Sequence, residues 1–297
     1  MGMGLRPGLG LGSAQGVPYT DIILPQSANI IRAWSLRRLI PEYANGIAVM
    51  ADRDDDDPAG LPDDDGFAVN FQNNGEIIIP AGLDAGAYEL HDQRCGSDCK
   101  LTQNIFAKCP EVFSQTEGTR KALRFTKDQF LQMANIDTIL DTALTNIAIG
   151  HSVSLWCRFS TVVGNAYILN RRSVNAGWLR FIRIGTDIRM LHRNSVMTTG
   201  TILSGASANT WYHIVLTAKG ANGENGLKTY VNAATPITQD IKTVSGASVP
   251  MSIGEPTSTN TGITEINDLV FWNRELSAGD VLSLFNVQST YYGVSAK

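Results

Sequence analysis

The sequence predicts an all-β protein, an antiparallel jelly-roll sandwich with a small β-rich N-terminal collar and an extended N-terminal arm. Three observations predict it. From about residue 120 onward, short segments of alternating apolar residues recur with Gly, Asn, Ser and Thr turns between them, the pattern of half-buried antiparallel strands. Only one late segment, "LSAGDVLSLFN", reads as a helix. Residues 1–29 are rich in Gly, Pro and small side chains and cannot bury a core of their own.

Taken in order, the arm 1–29 is expected to dock on a neighbouring subunit, because termini stay disordered unless tied down. "IIRAWSLRRLIPEYANG" follows, and Ile31, Trp34, Leu36 and Leu39 could share one helical face before Pro41 stops it. "GIAVMADR" and "GFAVNFQNNGEIIIPAG" then read as strands, with "NNG" as a hairpin turn. These belong to the collar, residues 30–118, whose acidic loop 52–65 holds eight aspartates. The sandwich occupies 119–297. In "HSVSLWCRFS", Val153, Leu155, Cys157 and Phe159 fall on one face, while arginines alternate with apolar residues in "GWLRFIRIG" and "DIRMLHR". "WYHIVLTAKG" and "LKTYVNA" continue the series. The helix takes Ser277 as N-cap, Asp280 in its first turn, and Val281, Leu284 and Phe285 as its buried stripe.

Composition narrows the function. The 297 residues carry a formal charge of -4, with 18% charged and 43% hydrophobic residues, and this lacks the basic excess that would neutralise phosphates, so no nucleic acid is expected as partner. No apolar run reaches the ~18 residues of a membrane helix, and the start lacks the apolar core of a signal peptide, so synthesis in a cytoplasm and no membrane partner are expected. Four cysteines are too few to scaffold a chain of this length.

"KALRFTKDQFLQM", "SVSLWCRFS", "WYHIVLTAKG" with "LKTYVNA", and "ITEINDLVFWNRELSAGDVLSLFN" resemble, in this order, the laminin-G-like, concanavalin A-like sandwich family. "AWSLRRLIPEYANGIAV", "DDDGF" and "YELHDQRCGSD" are similar to landmarks at the front of the family 54 arabinofuranosidase catalytic sandwich. They also resemble those of many phage structural proteins, where the same landmarks precede a laminin-G-like sandwich. Asp64, His91 and Arg94-Cys95 depart from the pattern. The glycosidase resemblance fades near residue 125, before that family's catalytic carboxylates, so it supplies no catalytic residue. What the resemblance implies is a non-enzymatic virion protein of a tailed phage, a capsid decoration or tail fibre/baseplate component, homo-oligomeric and docked by its arm on other virion proteins. Its sandwich would bind host-surface glycan. The alternatives are an arabinofuranosidase-like glycoside hydrolase and a free carbohydrate-binding lectin.

Candidate sites follow from side-chain chemistry. Sugars stack on exposed aromatic rings beside hydrogen-bonding groups. Trp178, in the turn "NAGW", with Arg180 and Asn175 is the expected carbohydrate contact, whereas Trp156, Trp211 and Trp272 sit at strand positions and should be core. No cofactor is expected apart from calcium, for which Asp54, Asp56 and Asp63 are the candidate ligands; the competing reading is a solvated acidic loop. His91, Cys95, Cys99 and Cys109 could hold zinc, Cys95 and Cys109 could form a disulfide, and reduced thiols are the plain expectation. Cys157 should be core and His213 a strand residue rather than a base. Glu255, Glu265, Asp268 and Glu275 are the carboxylates nearest the closing strand, with no pairing evident for glycosidic chemistry.

Overall fold

The computed structural model describes residues 24–36, 39, 48–52, 67–69, 85–94, 96–103, 108–114, 121–133, 137–171, 178–193, 197–221, 224–240, 250–254 and 262–297. The elements run β1 (Ile30–Trp34), β2 (Ala48–Asp52), β3 (Phe67–Val69), β4 (Ala85–Asp92), β5 (Gly96–Thr102), β6 (Glu111–Ser114), β7 (Lys121–Phe125) and β8 (Phe130–Met133). Helix α1 (Thr138–Thr145) follows. Then come β9 (His151–Phe159), β10 (Asn165–Arg171), β11 (Trp178–Ile184), β12 (Asp187–Arg193), β13 (Met197–Leu203), β14 (Trp211–Ala218), β15 (Leu227–Val231), β16 (Ile237–Gln239), β17 (Met251–Gly254), β18 (Thr264–Trp272) and α2 (Ala278–Ser289).

All strand pairings are antiparallel, and they form two sheets. In the first, β16, β15, β14, β9 and β18 lie side by side. The free edge of β18 is shared: Thr264–Ile266 pair with β7, and Leu269–Trp272 pair with β1. In the second, β13, β12, β11, β10, β17, β8, β5 and β4 follow in order, with β2 and β3 beyond. Among the described residues the pair Gly86 and Glu111 joins the sheets through β4 and β6.

Strand periodicity places the core. Val153, Leu155, Cys157 and Phe159 of β9 all face inward and are buried. Across the second sheet Leu131, Ile253, Leu169, Phe181 and Met190 stand opposite one another in register and pack into the same cluster. Burial without a charged neighbour pushes the Cys157 thiol up, which leaves it an inert core residue.

The N-terminal segment corrects the helical expectation. Ile30–Trp34 is a strand, because the edge of β18 offers it backbone partners that a surface helix would lack. Buried polar groups then hold the chain beyond it. Asp92 accepts from the Ala33 amide (2.5 Å) and the Arg94 amide (2.9 Å), and Gln93 donates its backbone N–H to Ala33 O (2.8 Å) while its side chain accepts from the Leu39 amide (2.8 Å). Asn267 accepts from the Leu36 amide (3.0 Å), and the Ser35 hydroxyl donates to Asp268 (2.5 Å). The landmarks "AWSLRRL" and "HDQR" are thus wired to each other and to the closing strand. Residues 24–29, at the end of the expected arm, lie against the sandwich: Leu24 is buried, Pro25 O accepts from Trp272 Nε1 (3.1 Å), and Gln26 Oε1 accepts from Arg274 (3.0 Å).

Helix α1 has no counterpart in the sequence expectations, since eight residues give little periodicity. Asp137 caps it, accepting from the Ile139 and Leu140 amides (both 3.0 Å), and also pairs with the buried Arg32 of β1, whose Nη2 lies 2.9 Å away. One carboxylate therefore starts the helix and clips it to the sheet. α2 matches expectation, with a capping box between Ser277 and Asp280 and Val281, Leu284 and Phe285 buried.

The side of the first sheet turned away from the core carries a charged row. Glu111, Arg124, Glu265, Arg158 and Trp211 stand in register across β6, β7, β18, β9 and β14. Glu265 is 0% exposed and accepts from Arg124 (2.8 Å), Arg158 (2.8 Å) and Ser160 (3.2 Å). One row along, Trp156 and His213 are covered by α2, with Trp156 Nε1 donating to Gln288 (2.8 Å).

Two stability outcomes are expected in urea denaturation. Asp137→Ala removes both a cap and the partner of a buried arginine, and should cost about 4 kcal/mol. Asp137→Asn, which keeps a cap acceptor, should cost less. Glu265→Ala strands two arginines and should cost about 3–5 kcal/mol; a loss below about 1 kcal/mol would show that the row is ornamental.

Candidate saccharide-binding face

The second sheet presents the opposite chemistry on its side turned from the core. Because residues directly opposite in a ladder share a face, Thr102 of β5, Gln132 of β8, Ser252 of β17, Asn170 of β10 and Arg180 of β11 form one polar row across five adjacent strands. Four gaps of ~4.8 Å make it roughly 19 Å long. The aromatic ring of Tyr167 lies beside it, with the Arg180 guanidinium 3.9 Å from the ring centroid.

The row is recessed. Asn170 and Arg180 are each 8% exposed and Ser252 is buried. The Ser252 hydroxyl donates to Asn170 O (3.3 Å), so it is oriented by the backbone rather than by the neighbouring amide. The side-chain oxygen of Asn170 is buried with no hydrogen-bond partner. A buried acceptor left unmet costs about 1–3 kcal/mol, so native structures seldom keep one without a reason.

The expected sugar contacts fare unevenly. Arg180 lies in the row, Trp178 is the first residue of β11, and Asn175 lies outside the described residues. Asn170, Ser252, Gln132, Thr102 and Tyr167 were not anticipated. They come from four strands, β5, β8, β10 and β17, spread over 150 residues of the chain, and no local motif links them. Arg180 and Arg183 are three apart and so point to opposite sides of β11. Arg183 is buried and donates to Gly164 O (3.1 Å), Gly185 O (2.5 Å) and Val163 O (3.2 Å), fastening the turns at one end of β10 and β11. Desolvation lowers its pKa.

The other candidates resolve as follows. Asp54, Asp56 and Asp63 lie outside the described residues, as do Cys95 and Glu255. Among the described residues no group of three or more His, Cys, Asp or Glu is gathered to hold a metal. Cys99 is in a disulfide, which corrects the expectation of reduced thiols and removes it from any thiolate set; Cys109 is a buried thiol outside any disulfide, so the Cys95 to Cys109 bridge is not formed. Trp156, Trp211 and Trp272 are buried as expected. Of the carboxylates near the closing strand, Glu265 is held by two arginines, Asp268 by Ser35, and Glu275 by Lys228 (2.9 Å). Among the described residues no helix is long and apolar enough to cross a membrane.

Comparison with known proteins agrees with this architecture. The chain resembles the receptor binding domain of botulinum neurotoxin C/D mosaic serotype, with a TM-score of 0.54, 13% identity, and coverage of 90% of this chain and 55% of that one. It also resembles a point mutant of HCR/D, with a TM-score of 0.53, 16% identity, and coverage of 69% and 52%. The chain thus spans about half the length of these structures, and at such identities the likeness is one of fold. No curated protein matches the sequence. The profile of the Concanavalin A-like lectin/glucanases superfamily, Laminin_G_3, matches residues 133–282. With half of its length so matched, the chain belongs to that superfamily.

Proposed function

We propose that the protein is a non-catalytic recognition module of lectin type, which binds an extended saccharide along the polar row of the second sheet and is displayed on a virion. The observation that carries the first part is Asn170. Its side-chain oxygen sits between the strands that bear Ser252 and Arg180 without a partner, and a ligand hydroxyl is the donor it lacks. The row supplies amides, hydroxyls and a guanidinium, the groups that recognise sugar hydroxyls, beside the Tyr167 ring. Its length suits several linked sugar rings rather than one. The superfamily includes lectins and glucanases, which supports saccharide as the ligand class while leaving the reaction open.

A lectin is favoured over a glucanase because the buried carboxylate Glu265 is committed to arginines, on the other sheet from the row. Glycosidic cleavage requires two carboxylates flanking the bond. The display on a particle rests on the N-terminal landmarks shared with phage structural proteins, which the buried contacts of Asp92 and Gln93 tie to the sandwich. Residues 24–29 pack on the same chain, so docking on a neighbour falls to the residues before Leu24.

The full chain on an oligosaccharide and polysaccharide array should bind at least one saccharide. Asn170→Ala and Trp178→Ala should each weaken that binding about tenfold, the worth of one lost hydrogen bond or stacked ring. Removing the Asn170 amide takes away an unmet acceptor, so the thermal midpoint should stay close to that of the parent. A blank array, or binding untouched by both variants, overturns the saccharide reading; release of sugar from an arabinoside overturns the non-catalytic one. Particles that incorporate a variant lacking residues 1–23 as well as the full chain would overturn the docking role.

A further inference from the structure

A second apolar cluster lies outside the sandwich core, between the first sheet and the C-terminal residues. It gathers Ala122, Trp156, Trp211, Phe285 and Tyr292. Trp156 is its centre, stacked on Tyr292 (4.1 Å between centroids, 13° between planes), on His213 (4.8 Å, 20°) and on Phe285 (5.8 Å, 16°). His213 is the one imidazole in this stack, is 0% exposed, and has Phe285 of α2 at 5.9 Å. Its Nε2 lies 2.8 Å from the Ser154 hydroxyl, and its Nδ1 is buried with no partner.

Among the described residues the ring has a hydroxyl beside it but no anion to pair with an imidazolium. From β9 the ring meets Ser154 and Trp156; its own backbone amide donates to Asn232 beyond β15; from α2 come Phe285 and, through Trp156, Gln288. On the α2 side, Lys297 is a cation with Nζ 5.6 Å from the Phe285 centroid, and Asp280 is held in the helix's first turn by Ser277. The nearest charged row on the same face is Arg158 and Glu265, in which Glu265 is already held by two arginines. Among the described residues no carboxylate bonds the ring.

We propose that α2 is an acid-released latch, in which protonation of His213 undocks the C-terminal helix from the first sheet while the sandwich stays folded. Helix release is the direct way to hydrate the new charge, because Phe285 of α2 lies against the ring and against the Trp156 stacked on it. Desolvation pulls the docked His213 down to about 3, against the ordinary value of 6.5. A depressed histidine stabilises docking at neutral pH. That stabilisation begins to fall below pH 6.5, where the undocked imidazole takes up its proton, and is spent near pH 3, where the docked one does too. Asp280, the other titrating group of the helix, is desolvated but held below its ordinary value by its bonds to Ser277, and stays ionised through most of this window.

Hydrogen exchange on the intact protein tests the latch. Between pH 7 and 4.5, opening of residues 278–289, corrected for intrinsic exchange, should rise about 70-fold relative to β9 amides. In His213→Phe, which keeps a stacking ring, and in His213→Gln, which keeps a hydrogen-bonding group, the rise should be under about threefold. Either variant suffices if the other does not fold. Equal slopes in parent and variants, or loss of protection in α2 and β9 together, would overturn the proposal.

Discussion

Strand β18 has no single neighbour along its free edge, and the sandwich is arranged around the solution. At Asn267 and Asp268 the pairing with β9 shifts register, and Asp268 adopts φ 52°, a conformation that costs a non-glycine residue about 1 kcal/mol or more. On one side of this break β18 pairs with β7, on the other with β1. The break is held by Ser35, whose hydroxyl reaches Asp268, and by the Leu36 amide, which reaches Asn267; Asn267 Nδ2 in turn donates to Lys121 O (2.9 Å). Asp92 and Gln93 fix the same N-terminal segment from the other side. Strain at one residue is thus offset by a buried polar network, which is the circumstance in which such networks specify a unique arrangement.

The outer faces of the two sheets follow different rules. On the first, a row of alternating charge and an aromatic stack are sealed, the charge by its own partners and the aromatics by α2. On the second, the row from Thr102 to Arg180 is polar, and it retains an acceptor in Asn170 that no donor meets. Unmet groups occur on both faces, but His213 Nδ1 and Trp211 Nε1 on the first lie in the aromatic cluster packed under α2, whereas the Asn170 acceptor on the second lies in a row of polar side chains. This contrast, more than kinship with lectins, directs the functional reading to the second sheet.

Much of the fold was legible in the chain. β9 shows in the spacing of Val153, Leu155, Cys157 and Phe159, and α2 shows in Ser277, Asp280 and the stripe of Val281, Leu284 and Phe285. Segment 30–34 misled because Ile31, Trp34 and their successors also fit a helical spacing, and a five-residue strand is decided by the edge it joins. Helix α1 left no mark because its main support, Asp137, acts through Arg32, over a hundred residues away in the chain. Of the expected saccharide contacts, Arg180 is in the recessed row, and the disulfide of Cys99 contradicts a reading of composition alone.

By itself, then, the sequence determined the class of fold, the alternating strands, the capped closing helix and the identity of the core tryptophans, because each depends on residues a few positions apart. Only the tertiary structure decided which polar residues meet. The row on the second sheet draws one residue from each of five strands spread between Thr102 and Ser252, and the charged row on the first draws Glu265 between Arg124 and Arg158. Register between strands is set by long-range packing, so the chemistry of both faces is written in pairings that the linear order of residues does not contain.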